Sequence, residues 1–387
     1  MLEELFLILA VAISGLILLI HLILTVSVLL NRLRDVSRAR RPPAALSAAV
    51  SVVVVAKDEE SSLPRLLAAL EAQTFRDFEI VLLNDRSRDR TVQIMKAFRK
   101  KHGSRVRLLE NDEEPVGMGP KQFALDIAVR AAAGEVLLFT DADCLVPTTW
   151  VERLLPYFAD PRVGIVFGQV SLESSRRFLS RFQAFDQPLI HQWNSGTAGV
   201  GMPGSCFGNN LAARKAMIDQ IGGFKALGYT LTEDAALTTA AGRHKWRVCV
   251  CTRTDAMIRT YPRPSWAEFL NQHLRWNSGA FYHEDLPTRL GYRFITLFLI
   301  ASLVVIPFAF HWPFLFVSTA SSFISVGLMA LLAGLLYRQD KTAYLLRLVP
   351  YTCFFLLFYS LVTLLAMLRL SFRWKGESWE AVRGGKR

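Results

Sequence analysis

Several polar groups in this 387-residue chain stand where side chains could do chemistry. Lys57-Asp58-Glu59-Glu60, Asn84-Asp85-Arg86-Ser87-Arg88-Asp89 and Asp141-Ala142-Asp143 each follow an apolar run, and Thr232-Glu233-Asp234 precedes a helix-like stretch, Ala235 to Ala241. Two carboxylates flanking a small residue, as in Asp141-Ala142-Asp143, can offer oxygens to a hard cation such as Mg²⁺ or Mn²⁺, which also binds phosphate oxygens. Such a cation would neutralise a diphosphate leaving group. A carboxylate at a rigid helix start, Glu233 or Asp234, could serve as a general base. In Gln272-His273-Leu274-Arg275-Trp276, residues 272, 275 and 276 share one helical face, with Arg275 as a fork for phosphate and Trp276 as a flat apolar surface. Each group also has a plainer reading. Asp89 and Thr232 suit helix caps, acids in a first turn favour the helix dipole, and Trp266, Phe269 and Leu270 suit an interfacial helix.

The elements that would position these groups alternate in period. Ser51 to Ala56 is a continuous β-branched run, as for a strand buried on both faces. Leu63, Leu66, Leu67 and Leu70 recur at helical spacing, Phe78 to Leu83 reads as a strand, 89–102 as a helix and Val106 to Leu109 as a short strand. Gln122 to Ala133 is helical and Glu135 to Thr140 is a fourth strand. Strands alternating with helices predict a mostly parallel sheet, whose ligands sit beyond the carboxyl ends of the strands. Three acidic clusters at three such ends predict one shared crevice. There is no GxxxxGK[ST], HExxH or GxSxG, and Gly117-Met118-Gly119 lacks the strand context of a dinucleotide fingerprint.

The ends of the chain are apolar. Leu5 to Leu30 contains no Asp, Glu, Lys or Arg and is long enough to span a bilayer. Glu3 and Glu4 precede it, whereas Arg32, Arg34, Arg38, Arg40 and Arg41 follow against Asp35 alone. The positive-inside rule therefore places residue 31 onward in the cytoplasm, in the inner or plasma membrane. Phe294–Phe310, Phe314–Tyr337 and Leu348–Leu368 predict three more spans. One plus three spans would leave the tail outside, yet from Arg369 it holds six Lys and Arg against two Glu, which favours the inside. The expected division is 1–31 membrane helix, 32–48 basic linker, 49–262 catalytic domain, 263–292 interfacial helices, 293–370 membrane region and 371–387 basic tail. Of 387 residues, 52% are apolar and 20% charged, which excludes a wholly soluble or a disordered chain. The net charge of +12 gathers beside membrane segments, so nucleic acid is not the expected partner. Five scattered cysteines without a CxxC pair support neither a zinc site nor a disulfide framework.

In order, Asp85, Asp141-Ala-Asp143, Thr232-Glu-Asp234 and Gln272-x-x-Arg-Trp276 resemble the motif series of the membrane-bound family 2 glycosyltransferases, over roughly residues 50–280. That family includes ceramide glucosyltransferases and the cellulose, chitin and hyaluronan synthases. The resemblance implies a GT-A-like nucleotide-sugar-binding domain with a mostly parallel sheet, flanked by one N-terminal and about three C-terminal transmembrane helices. It implies Asp58 and Asp85 along the uridine, Lys121 and Arg275 on the diphosphate, and Asp141 on nucleotide or ribose. Asp143 would hold the metal, Asp234 would be the base with Glu233 beside it, and Asn209, Gln272 and Trp276 would meet the acceptor. Pro120 replaces the glycine usual before Lys121, and Trp374-Lys375-Gly376 resembles a motif that follows the last span in several such enzymes.

The function expected is an inverting transfer of a sugar from a nucleotide diphosphate sugar, a UDP-sugar by the resemblance, to a lipid or lipid-linked acceptor at the cytoplasmic face. The alternative is a processive polysaccharide synthase that threads its product through the membrane. About three C-terminal spans are few for such a channel in one chain, which leaves room for a second copy or a partner subunit. A non-catalytic scaffold fits poorly with intact Thr232-Glu-Asp234 and Gln272-x-x-Arg-Trp276 motifs.

Overall fold

The computed structural model describes residues 2–39, 49–173, 175–230, 232–337, 341–370, 372–374 and 377–379. Residues 40–48 of the expected linker, Arg338, Asp340, Lys375-Gly376 and 380–387 of the basic tail lie outside the described residues. Along the chain come α1 (Leu2–Ala39), β1 (Val50–Ala56), α2 (Leu63–Glu71), β2 (Glu79–Asp85), α3 (Thr91–His102), β3 (Val106–Asn111), α4 (Pro120–Ala131) and β4 (Val136–Asp141). They are followed by α5 (Trp150–Leu154), β5 (Val163–Gly168), β6 (Val170–Leu172), α6 (Phe178–Gly199), β7 (Leu211–Arg214), α7 (Lys215–Ile221), α8 (Glu233–Arg243), β8 (Arg247–Cys251) and β9 (Ile258–Thr260). Then come α9 (Trp266–Phe281), α10 (Leu286–Val304), α11 (Ile306–Ala309), α12 (Phe316–Tyr337), α13 (Lys341–Leu346) and α14 (Leu348–Met367). The chain divides into two units, one of Leu29–Ser174 with Thr197–Pro262, the other of Met1–Val28, Ser175–Gly196 and Arg263–Arg387.

The first of these is an α/β unit around a seven-stranded sheet in the order β3-β2-β1-β4-β7-β5-β8. Strands β3, β2, β1 and β4 are parallel, β7 runs antiparallel between β4 and β5, and β8 is parallel to β5. The apolar run in β1 is buried because helices cover both faces. Val52, Val54, Leu82 and Leu138 pack with Leu63, Leu66 and Leu70 of α2 and Met95 and Phe98 of α3. Val53, Val81, Leu83, Leu137 and Phe139 pack with Ala124, Leu125 and Ala128 of α4 and Leu237 of α8. Side chains alternate along a strand, so Asp85 and Asp141 emerge on the α4 face, two residues beyond Leu83 and Phe139. The mostly parallel α/β sheet expected from the sequence is therefore present, and its carboxyl ends carry the acids.

The end of α1 belongs to this unit too. Asp35, 2% exposed, accepts from the Thr252 amide at 2.5 Å, the Thr252 hydroxyl at 2.7 Å and the Tyr157 hydroxyl, while Arg32 donates to the Thr252 carbonyl at 2.6 Å. The one acid among the arginines after the apolar stretch is thus a buried anchor.

The second unit is helical. Phe182 and Phe185 of α6, Phe269 of α9, Val326 and Met329 of α12 and Tyr351, Phe355 and Phe358 of α14 form its core. His273 donates or accepts through Nε2 at 2.8 Å from Asp186 Oδ2, both side chains buried. Among the described residues three helical stretches are long and apolar enough to cross a membrane: Glu3–Val36, Pro313–Tyr337 and Leu348–Met367. The stretch Phe294–Phe310, expected as a further span, is divided. Its first part ends α10, which begins at Leu286 and includes Arg289 and Arg293, and its last part forms α11 after a break at Val305. Pro307 lacks the N–H that would bond the carbonyl four residues back, which favours the break. The uncharged part of α10, residues 294–304, spans about 16 Å at 1.5 Å per residue, half a hydrocarbon core.

Candidate active site

The site grows from the starts of two helices. Gly119 caps α4 and Pro120 takes its first turn, where a missing N–H costs nothing, so Lys121 leaves the helix at its N-terminal edge. Its Nζ lies 2.7 Å from Asp141 Oδ1 at the end of β4 and 3.2 Å from Glu233 Oε1 at the start of α8. One ammonium thus joins the first acid of Asp141-Ala-Asp143 to the acid pair of Thr232-Glu-Asp234. Burial alone would lower the Lys121 pKa, but the Asp141 and Glu233 carboxylates outweigh it and hold the ammonium above the ordinary lysine value. These groups line one cleft, with Val55, Phe139 and Gly208 in its wall.

Asp234 is held differently from Glu233. Its Oδ2 accepts the Gly208 amide at 2.9 Å and its Oδ1 the Ala235 amide at 2.8 Å. Burial first, and then the neighbouring Glu233 charge, push its pKa up to about 6, against the opposing pull of Lys121. A carboxyl that titrates near neutrality is a better proton acceptor than one near 4. The approach of Gly208 is close, since a Cβ there would lie 3.1 Å from Asp234 Cβ.

Other expected site residues occupy neighbouring loops. Asp143 and Asn209 both meet Cys144, whose Sγ lies 3.6 Å from Asp143 Oδ1 and 3.4 Å from Asn209 Nδ2. Burial, reinforced by Asp143 and Asp141, keeps that thiol protonated. Asp58 follows β1 and is exposed. Its carboxylate accepts the Arg88 amide at 2.7 Å, and the Ser87 hydroxyl accepts the Asp58 amide at 3.1 Å, so it braces the two loops after β1 and β2. Asp85 is buried beneath Arg86. The guanidinium meets its two oxygens at 2.8 and 3.1 Å and also reaches Glu114 at 2.8 Å, while Asn111 donates to Asp85 at 2.8 Å. Asp58 and Arg86 both have φ of 55°, an uncommon conformation for side chains of this kind, at two adjacent strand ends.

In the helical unit, Ser265 caps α9 by accepting the Glu268 amide. Gln272, Arg275 and Trp276 are half-buried on this helix. With its amide turned so that the oxygen faces the guanidinium, Gln272 accepts from Arg263 Nη2 and Nε at 3.2 and 3.3 Å. Trp276 lies against His273, ring centroids 5.1 Å apart.

The sequence shows Arg86 and the segment Phe207-Gly208-Asn209-Asn210, but not the contacts of Arg86 and Asn111 with Asp85 or of the Gly208 amide with Asp234. Asn111 ends β3 as Asp85 ends β2, and the two are register partners, so strand ends were the available signal. Gly208 stands next to Asn209 in a 3-10 turn, and nothing local marks its amide.

A mostly parallel sheet with acids at its carboxyl ends and a lysine between them defines a GT-A-like architecture. A mannosyltransferase from Pyrobaculum calidifontis, solved with GDP-Man and Mn²⁺, shares this fold, with a TM-score of 0.51 at 17% identity over 91% of this chain and 98% of that one. The model of glycosyl transferase family 21 matches residues 10–387, and the chain belongs to that glycosyltransferase family. A β-monoglucosyldiacylglycerol synthase from Synechocystis is 25% identical over 230 residues, covering 57% of this chain and 47% of its own. An undecaprenyl-phosphate 4-deoxy-4-formamido-L-arabinose transferase from Pseudomonas fluorescens is 30% identical over 174 residues, covering 44% and 48%. The chain spans about half the length of these relatives.

Proposed function

We propose that this chain is an inverting glycosyltransferase that moves a sugar from a nucleotide diphosphate sugar, a UDP-sugar in our reading, to a lipid or lipid-linked acceptor at the cytoplasmic membrane face. The observation that carries the reading is the Lys121 bridge between Asp141 and Glu233 with Asp234 beside it. It sets a cation for a leaving diphosphate next to a carboxyl tuned to take a proton. The names of the two relatives, one a glucosyldiacylglycerol synthase and one an undecaprenyl-phosphate transferase, support a lipid acceptor.

In the reaction, Asp234 removes the acceptor hydroxyl proton as that oxygen attacks the anomeric carbon. The bond from that carbon to the diphosphate oxygen breaks on the opposite face, and the configuration inverts. Lys121 turns its charge to the diphosphate, and Glu233 positions the start of α8. By the motif, Asp58 and Asp85 meet the nucleoside, Asn209, Gln272 and Trp276 the acceptor, and Arg275 the diphosphate.

Among the described residues no three Asp, Glu, His or Cys side chains converge as a ready metal cluster. The hard oxygens of the Asp141-Ala-Asp143 turn nevertheless fit Mg²⁺ or Mn²⁺, which takes one or two protein carboxylates and completes its shell with water and phosphate. By the motif, Asp143 would hold it, beside the Asp141–Lys121 pair. When bound, the cation supplies charge neutralisation for the diphosphate.

Among the described residues three helices, rather than four, are long and apolar enough to span, which supports the cytoplasmic placement. An odd number returns the basic tail from Arg369 to the side of Arg32 and Arg34, as the positive-inside rule prefers. The test of the whole reading is a screen of nucleotide sugars for nucleoside diphosphate release by the purified protein, with and without membrane lipid extract. Release that depends on the lipid is expected. Lack of release from every donor would overturn the proposal, and a long polymer on a gel would replace it with the processive reading.

A further inference from the structure

We propose that Gln122 is a positioning residue that fixes the distance between the leaving-group side and the base side of the site. The inference rests on the function proposed above and concerns a residue to which the motif series gives no role.

The segment before Thr232-Glu-Asp234 holds a short 3-10 turn, Phe224–Leu227, between glycines. Gly222, Gly223 and Gly228 have φ of 95°, 78° and 68°, conformations that glycine adopts freely and that leave the loop to be held by its neighbours. Gln122, 1% exposed, holds it. Its Nε2 donates to the carbonyls of Phe224 at 2.8 Å and Gly228 at 2.6 Å, and its Oε1 accepts the amides of Thr230 at 3.2 Å and Gly119 at 2.9 Å. Two donors and two acceptor sites are all that a glutamine amide has, so every one is used.

Gly119 adds a second lock. A Cβ at this position would lie 2.3 Å from the Thr230 carbonyl oxygen, so the start of α4 and the leader of α8 touch backbone to backbone. One helical turn further along α4, Asp126 Oδ1 accepts the Lys225 amide at 3.3 Å, which puts residues 122 and 126 on one gripping face. The neighbour of Gln122 is Lys121, whose ammonium reaches Asp141 and Glu233. The same turn of α4 therefore carries the diphosphate cation and clamps the loop that delivers the base.

Loss of the clamp should free the loop rather than α4, because Ala124, Leu125 and Ala128 remain packed on the sheet. Donor affinity should then persist while transfer falls, since displacing a catalytic group by about 1 Å costs up to about 10²-fold.

The experiment compares full-length Gln122→Met and Gln122→Glu with wild type. Gln122→Glu keeps the size and the two accepted bonds but sets oxygen against oxygen at Phe224 and Gly228. Arg214→Met is the control. Arg214 also bonds three backbone carbonyls, those of Val163, Phe158 and Asp160, but pairs with Val136 at the opposite end of β4 from Asp141. Transfer per folded molecule, UDP affinity by calorimetry and amide exchange over 222–232 are measured for each.

The expected result for both Gln122 variants is transfer lowered about 10–100-fold, UDP affinity unchanged, and faster exchange confined to 222–232, with Arg214→Met normal in all three. Transfer near wild type in either folded variant, or an equal loss in Arg214→Met, would overturn the inference. If neither Gln122 variant folds, exchange on the wild type decides. Equal protection of the Gly119 and Thr230 amides supports the clamp, and much faster exchange at Thr230 refutes it. A wild type inactive with every donor overturns this inference together with the proposed function, whereas active wild type with active Gln122→Met overturns this inference alone.

Discussion

Replacing Asp234 by Asn separates a tuned base from an acid that merely suits a helix start, because the two roles move stability in opposite directions. The wild-type carboxyl titrates at about 6 in the folded protein against an ordinary 3.8, a difference of two units, with burial as its first cause. At 1.36 kcal/mol per unit, ionising Asp234 costs the folded state about 3 kcal/mol at neutral pH. The folded-state pKa is raised, so the native protein holds a proton that the unfolded chain has already released. Its contribution to stability is complete below about pH 4 and is lost as the pH rises to about 6. Asn has no such ionisation. It keeps one accepted amide bond, from Gly208 or from Ala235, and turns its NH₂ toward the other amide, which costs about 1 kcal/mol. The net expectation is a variant about 1–2 kcal/mol more stable than wild type at pH 8, with the advantage gone by pH 4. A simple helix-start carboxylate predicts a loss of about 0.3–1 kcal/mol at pH 8 instead.

The assay is the apparent melting temperature of the detergent-purified proteins at pH 4 and pH 8, beside transfer per folded molecule and calorimetric donor affinity. Transfer should fall about 10²-fold or more with donor affinity unchanged. The wild-type rate should rise with pH around an inflection near 6, and that limb should vanish in Asp234→Asn. Near-normal turnover, or a variant less stable than wild type at pH 8, would refute the reasoning. Glu233, which lies 3.2 Å from Lys121, would then be the next base to test.

Chelation with excess EDTA should abolish transfer, and Asp143→Ala should lose the metal-dependent part of donor binding, read by calorimetry with and without Mn²⁺. Gly208→Ala places a Cβ 3.1 Å from Asp234 Cβ, so transfer should fall about 10-fold or more in a folded protein, measured as turnover beside the circular dichroism spectrum. Lys121→Met strands the Asp141 and Glu233 carboxylates and should cost up to about 3 kcal/mol at pH 7, read as the apparent melting temperature. A cysteine introduced at Lys100 should react with an impermeant thiol reagent in inverted vesicles and stay unlabelled in intact cells, if the α/β unit is cytoplasmic.

The sequence showed the sheet because burial on both faces leaves a readable mark. The unbroken run Ser51 to Ala56 and the leucines of α2 are the two sides of one packed layer. The acids at strand ends were legible for the same reason, since a strand that stops being apolar announces its carboxyl end. What stayed hidden depends on pairings between distant segments. The Asn111 bond on Asp85 follows from the β2–β3 register, and three of the four bonds of Gln122 reach a glycine-rich loop 102 to 108 residues away. The membrane ends show a different failure. The apolar stretch from Phe294 to Phe310 looked continuous, but the helix begins earlier, takes in Arg289 and Arg293, and breaks before Pro307. Hydropathy reports how apolar a stretch is, while helix limits decide whether that length crosses a bilayer.

Charge balance explains why the parts of this site belong together. Asp141 and Glu233 share the single ammonium of Lys121, and Asp234 adds a further negative charge above about pH 6. A diphosphate brought to this cluster would meet net negative charge with one cation already engaged. The carboxylates would repel it, and Lys121 could turn toward it only by leaving Asp141 and Glu233 uncompensated. A divalent cation on Asp143 changes that balance, because it adds two positive charges beside the incoming phosphates. The arrangement of this chain's own acids is thus an argument for metal use that is separate from the motif. The same balance bears on the base. In the proposed mechanism Glu233, which shares Lys121 with Asp141, serves as structure, whereas Asp234, bonded to the amides of Gly208 and Ala235, takes the proton.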